Sequence, residues 1–262
     1  MSANSYVNYI KGLLDGSVGG NPLTGQYVKK DGRFRLVRDK NGNPHIRLLI
    51  GGFTTDMTNP EEADREWLRD YAVNNPTSEY LSQNADLEKI AQRILEHRKA
   101  YRKKYGKHLP VVVKGYSRGG GAALELARKL HDLDPRQSID ELHSLDGFAY
   151  KHEDVNSVPK GSVKKLINVR SGLTQPIVPR GPRVQFSTGN LGAAFGLPLN
   201  RVKGVGKQVT VDIPGTMHED FSIFNDAADR LSRKRRATLK TIRSLVKDLE
   251  VTPEEALNKE SD

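Results

Sequence analysis

The apolar positions of the chain fall into two rhythms, one of period two and one of helical period, and their succession predicts a layered α/β domain. Arg33-Phe34-Arg35-Leu36-Val37-Arg38 alternates, Asn41-Gly42-Asn43-Pro44 is a turn, and Ile46 to Ile50 resumes as a strand ending in Gly51-Gly52-Phe53. A hairpin therefore leads into a sheet. Acidic Glu61, Glu62 and Asp64 behind Asn59-Pro60 mark the first turn of a helix running through Trp67 and Leu68. From Asp86 to Tyr105, Leu87, Ile90, Ala91, Ile94 and Tyr101 recur at helical spacing with basic residues on the other face, which predicts a helix packed on the sheet.

Next comes the β-branched run Leu109-Pro110-Val111-Val112-Val113, of the kind expected for a strand buried on both faces. Gly120 to Leu130 follows as a helix whose small residues permit close packing. Further strands are predicted at Ile139–Leu145, Lys165–Val169, Arg183–Phe186 and Gln208–Ile213, with helices between or after them. Strands alternating with helices imply a mainly parallel sheet covered on both sides, a three-layer α/β fold. Residues 180–207 are rich in Gly and Pro and carry Phe186, Leu191, Phe195, Leu197 and Leu199. They form either a flap over a pocket or an ordinary surface connection.

Composition adds boundaries. Residues 1–25, rich in Gly, Ser and Asn and without strong periodicity, read as an N-terminal arm, 26–228 as the α/β domain, and 229–262 as a basic helix with an acidic tail. The stretch from Arg230 to Lys247 supplies eight of the formal charge of +10 and holds no acid, whereas Asp248 to Asp262 has six acids and one lysine. Leu239, Ile242, Val246 and Leu249 share one helical face of this segment. It either packs on the domain with its charges solvated or meets an anionic membrane surface or an acidic protein partner. No nucleic-acid motif accompanies the charge, so a nucleic-acid partner is the weakest reading. The basic strip between His97 and His108 reads as a helix exterior.

There is no cysteine, which excludes thiolate catalysis, Cys-based zinc sites and disulfides. The start MSANSYVNYIKGLLDG has no basic residue followed by a sustained apolar run, and nowhere do 18 consecutive apolar residues occur. The expectation is a soluble protein, cytoplasmic or exported without a conventional signal peptide.

Chemistry concentrates at Gly115-Tyr116-Ser117-Arg118-Gly119. A serine hydroxyl is a poor nucleophile; it needs a base within hydrogen-bond reach and donors aimed at the oxyanion formed on attack. A sharp strand-to-helix turn exposes the hydroxyl, and the helix N-terminus behind it offers N–H groups and a favourable dipole. The pattern sits here between a Val-rich strand and a small-residue helix, the context that the chemistry demands. The stretch from Leu109 to Leu130 resembles the nucleophile elbow of lipases and related α/β-hydrolases, with the resemblance extending over roughly residues 46–222.

The resemblance implies an α/β-hydrolase-like fold and a set of partners for Ser117. Leu48-Leu49-Ile50-Gly51-Gly52-Phe53-Thr54 is similar to the family's oxyanion loop, so Phe53, with Gly52 and Thr54 beside it, and Arg118 are the expected backbone donors. Of the seven histidines, His218 alone follows a late strand, in Pro214-Gly215-Thr216-Met217-His218, and matches the chain order Ser, acid, His. Asp146, in Ser144-Leu145-Asp146-Gly147, stands where the strand after the elbow helix should end, a place where some lipases carry their acid. The alternative place after the following strand reads Asn168-Val169-Arg170-Ser171-Gly172, without a carboxylate. Asp154 and Asp220 are the substitutes. What this implies is a lipase- or esterase-like enzyme that splits a carboxylic ester, with phospholipid a substrate suggested by Arg118 and the basic helix, and with no metal or organic cofactor required. The other reading is a catalytically idle hydrolase-fold component of a larger assembly, favoured by the missing acid.

Overall fold

A computed structural model describes residues 34–39, 41–52, 66–75, 77–149, 157–171, 178–180, 183–185, 197–199, 201–213, 216, 218 and 220–233. The hairpin expected at the start is present: β1 (Val37–Arg38) runs antiparallel to β2 (Pro44–Ile50). Every further strand of the main sheet is parallel to its neighbours. β3 (Glu79–Leu81) continues the edge of β2 beyond β1, and on the other side follow β4 (Val111–Tyr116), β5 (Glu141–Leu145), β7 (Lys165–Ser171) and β11 (Lys207–Ile213).

Four helices among the described residues cover this sheet: α1 (Glu66–Asn74), α2 (Leu87–Tyr105), α3 (Gly119–Leu133) and α4 (Phe221–Ser232). Helix α2 starts where the Asp86 side chain accepts the Lys89 N–H at 3.1 Å and stops at Gly106, whose φ of 65° carries the chain out of the helix. The period-two alternation of the strands sorts their side chains into two cores. Ile46, Leu48, Val111, Val113 and Leu142 pack against α2 and α3, while Leu49, Tyr116, Leu145, Ile167 and Val211 pack against α1 and α4. The result is the expected three-layer arrangement.

Three expectations change. Residues 183–185 form β9, but this strand pairs antiparallel with β8 (Val178–Arg180) in a separate two-stranded sheet rather than joining the main one. The intervening Gly181-Pro182 pair is turn-forming, so the sequence favours a local hairpin over a crossover. The boundary drawn at 228 falls inside α4, whose stripe of Phe221, Phe224, Ala228 and Leu231 is buried to its last turn. Within the 180–207 segment, β10 (Leu197–Pro198) pairs antiparallel with β6 (Phe148–Ala149), and Leu199 is buried. That end of the segment is part of the domain. Phe186, Leu191 and Phe195, the arm at 1–25, Glu61, Glu62 and Asp64, Asp154, and the stripe from Leu239 to Leu249 lie outside the described residues. Among the described residues no helix is long and apolar enough to cross a membrane.

Candidate active site

β4 ends at Tyr116 and α3 begins at Gly119, leaving Ser117 and Arg118 to reverse the chain. The turn is tight enough to force Ser117 to a φ of 57°, a region that costs a non-glycine residue energy and persists only where its surroundings fix it. Here the Ser117 N–H donates to the Leu145 carbonyl at 3.1 Å, and its carbonyl accepts from Gly120 and Phe148 at 3.0 and 3.1 Å. The flanking glycines are steric requirements. A Cβ on Gly115 would strike the Gly119 backbone, and one on Gly119 would strike the Ile50 carbonyl. The elbow is thus pressed between β2 and α3 with no room for side chains.

The exit of β2 passes over Ser117, because a Cβ on Gly52 would collide with the Ser117 side chain. That is the position an oxyanion loop requires. Phe53 and Thr54, the next residues, lie outside the described set. Arg118 occupies the N-cap of α3, with no side-chain cap on the helix, so its backbone stands at the positive end of the helix beside Ser117.

Three side chains from three separate loops meet at the carboxyl end of the sheet. His218 Nε2 is 2.8 Å from Ser117 Oγ, and His218 Nδ1 is 2.7 Å from Asp146 Oδ2. Ser117, His218 and Asp146 are all buried, Asp146 completely. Asp146 follows β5 with a φ of 47°, a conformation that Asp tolerates better than most residues, and its own N–H donates to the Val169 carbonyl of β7 at 2.7 Å. Asp220 stands at the N-cap of α4, and it is Asp146 that meets His218 Nδ1.

Two contributors escaped sequence reading. Ser171, at the end of β7, donates its backbone N–H to Asp146 Oδ1 at 2.7 Å and its hydroxyl to Oδ2 at 3.1 Å. A carboxylate without water needs such donors. The clue was in the sequence, since Ser171 stands in the stretch set aside for lacking an acid. Tyr116 donates its hydroxyl to the His218 carbonyl at 2.7 Å and stacks its ring on the imidazole, with centroids 5.1 Å apart and planes 15° apart. The imidazole is therefore clamped at both its backbone and its face.

Among the described residues no cluster of His, Asp and Glu could hold a metal ion. Neither a protein-family model nor a curated protein sequence matches the chain. Solved structures with a similar course of the chain include Est1E from Butyrivibrio proteoclasticus, 15% identical over 78% of this chain and 96% of that one, with a TM-score of 0.40. A dienelactone hydrolase from Anabaena variabilis is 18% identical over 77% and 91% of the two chains, with a TM-score of 0.42. The NocB thioesterase domain is 15% identical over 74% and 95%, with a TM-score of 0.37. The strand order, the elbow between β4 and α3, and the sequence order Ser117, Asp146, His218 along the sheet give this chain the α/β-hydrolase architecture.

Proposed function

We propose that the protein is a serine hydrolase that cleaves a carboxylic ester through an acyl-enzyme. The observation that carries the reading is the unbroken relay from Ser117 Oγ through His218 to Asp146, 2.8 and 2.7 Å. In this scheme Ser117 Oγ attacks the ester carbonyl as its proton passes to His218 Nε2, and the alkoxide leaves with that proton. Water then repeats the sequence on the acyl-serine and releases the acid. Asp146 holds His218 in the tautomer with hydrogen on Nδ1 and stabilises the imidazolium that forms. The backbone N–H of Arg118 and one from the loop after Gly52, with Phe53 the preferred donor, face the developing oxyanion.

The idle-component reading rested on the missing carboxylate after β7. Asp146, 2.7 Å from His218 and anchored by Ser171, supports the enzyme reading over it. A fluorophosphonate probe tests the proposal directly. Labelling of the wild type that vanishes in Ser117→Ala supports it, and an unlabelled wild type, or equal labelling of both, refutes it. Among esters, phospholipid is favoured by Arg118 beside the elbow and by the cationic stretch from Arg230 to Lys247.

A further inference from the structure

The sheet face beneath α1 and α4 changes character along its length. Near the carboxyl ends of the strands it is apolar and aromatic, with Leu49, Tyr116 and Leu145. Toward the other end the same alternation brings up His45 and Arg47 on β2, Lys114 on β4, Glu141 and His143 on β5, and Lys165 on β7. Lys114 is 2% exposed and His143 is 1% exposed. Titratable groups in a layer whose packing calls for apolar side chains cost stability unless each is satisfied.

Most of them are satisfied by one another. Lys114 Nζ donates to Asn225 and Asp229 of α4 at 2.7 and 2.8 Å, and Glu141 accepts from His143 at 2.5 Å and from Lys165 at 3.3 Å. Two buried atoms are left over. Arg47 Nε has no hydrogen-bond partner, its two terminal nitrogens going to Asn75 at 2.6 Å and to His45 at 3.3 Å. His143 Nδ1 has none either, and Asp229 stands 3.8 Å away.

Both residues line one cavity of about 550 Å³, whose wall also holds Arg38 and Arg233. Its acids are already engaged: Asp229 by Lys114, Glu141 by His143 and Lys165, and Asp39 by the N–H groups of Asn41 and Asn43 at 2.8 Å. Arg38 donates to the Gly42 carbonyl at 2.8 Å and Arg47 to neutral groups, so their positive charges are not spent on those acids. The cavity wall therefore carries guanidinium charge and the His143 ring, whose Nδ1 is buried and without a partner. Since His143 Nε2 donates to the Glu141 carboxylate, the neutral ring offers Nδ1 as an acceptor, and the matching ligand must bring a hydroxyl as well as anionic oxygens.

We infer that this cavity is a second ligand site, distinct from the Ser117 site, that binds a phosphate group carrying a proton: inorganic phosphate or a small phosphate monoester. The anionic oxygens meet Arg47, with Arg38 and Arg233 adding charge at the wall, and the P–OH donates to His143 Nδ1. A carboxylate or sulfate supplies the charge but, near neutral pH, no such donor. The volume lies within the usual range of small-molecule pockets, roughly 300–1,000 Å³, and leaves room for the alcohol part of a monoester.

Isothermal titration of the full chain at pH 7 with inorganic phosphate, glycerol phosphate and sulfate tests this. Saturable one-to-one binding of phosphate is expected, with sulfate at least tenfold weaker. Tighter binding of glycerol phosphate than of inorganic phosphate would assign the site to a monoester, and the reverse order to the free ion. Arg47→Gln should weaken phosphate at least tenfold, while Ser117→Ala should bind it as the wild type does, which separates this site from the hydrolase reading. Arg38→Gln, at an exposed position, supplies a variant with little folding risk and should weaken binding several-fold. Absence of saturable phosphate binding, or unchanged affinity in folded Arg47→Gln and Arg38→Gln, would leave the cluster a water-filled structural network. Sulfate binding equal to phosphate would overturn the role given to His143.

Discussion

The sharpest test of the proposed chemistry is Asp146→Asn, because the structure dictates how the amide must sit. Asp146 accepts hydrogen bonds from the Ser171 N–H at Oδ1, and from the Ser171 hydroxyl and His218 Nδ1 at Oδ2. The Ser171 N–H is part of the backbone and can only donate, so the carbonyl oxygen of the new amide takes the Oδ1 place. Its NH2 group then faces His218 Nδ1. A hydroxyl can rotate to accept from an amide, as Ser171 does in this arrangement, but His218 must present Nδ1 as an acceptor and carry its hydrogen on Nε2. In that tautomer the ring cannot take the proton of Ser117, and the buried site has lost the charge that stabilises an imidazolium. The expected loss in kcat is about 10⁴-fold, or about 5.5 kcal/mol, with KM for a short p-nitrophenyl ester little changed. Nitrogen NMR of His218 should report the switched tautomer, and the melting temperature should stay near that of the wild type because the exchange is isosteric. A folded variant retaining more than about a tenth of wild-type kcat would show that Asp146 does not govern the histidine tautomer.

Other expectations follow from the same structure. Ser117→Ala and His218→Ala should each abolish turnover of that ester, and the double variant should be no worse than either, since both remove one chemical step. Gly119→Ala should cost about 3 kcal/mol or more in urea unfolding, because its Cβ meets the Ile50 backbone rather than a movable side chain; a loss below about 1 kcal/mol would mean that the elbow can relax. Burial pushes the Glu141 carboxyl up, but the His143 hydrogen bond and the Lys165 ammonium win and hold it down, from 4.5 to about 2. A depressed carboxyl contributes stability above its unfolded pKa and loses it as pH falls through its folded one. Between pH 4.5 and about 2, the wild type should therefore lose up to about 3 kcal/mol that Glu141→Gln does not. Parallel pH curves for the two proteins would contradict this. Replacing Arg233, Lys234, Arg235 and Arg236 by Gln should weaken salt-sensitive co-sedimentation with anionic vesicles while soluble-ester turnover survives; equal sedimentation of both proteins at low salt, or of neither, removes membrane docking.

How much of this was legible in the sequence depended on how local each cause was. The elbow could be read because its determinants are contiguous: the strand Val111–Tyr116, the steric glycines and the helix that follows lie within one stretch. Asp146 and His218 could be placed because each follows a strand whose order in a parallel sheet puts its end at the same edge. Ser171 could not be identified this way. Its part depends on β7 lying beside β5 in a register that brings its N–H to a carboxylate 25 residues earlier, and no periodicity encodes that register. β3 was missed because three residues give too short a pattern to alternate, and the turn signal of the sequence Gly181-Pro182 was outweighed by the apparent rhythm of strands. The charged end of the second core was concealed by the same alternation that revealed the strands. Lys114 and His143 look like outward positions, yet both are buried where α4 brings Asn225 and Asp229 over them.

The course of α4 also bears on what the cationic stretch can do. The helix begins at Phe221, whose ring contacts Trp67 and Tyr116 beside the histidine, and it ends with the Ser232 carbonyl accepting from Lys165, at the first residue of β7. Its axis therefore leads from the Ser117 end of the sheet to the opposite end, where Arg233 caps it. Attraction to an anionic surface is short-ranged, falling off over about 8 Å at physiological salt. A 12-residue helix is longer than that, about 18 Å at 1.5 Å per residue. A charge at Arg233 consequently acts chiefly on the strand-start end of the helix, about 18 Å along it from the Phe221 end. If docking and hydrolysis act on one membrane, we expect the gain from docking to come through the cations further along the sequence, Lys240, Arg243 and Lys247. Gln at those three positions should then reduce turnover of a vesicle-embedded ester more than Gln at 233–236 does, with soluble-ester turnover as the common reference. The reverse order would make the proximal cluster the one that supports turnover at a membrane and would refute the assignment to the distal cations.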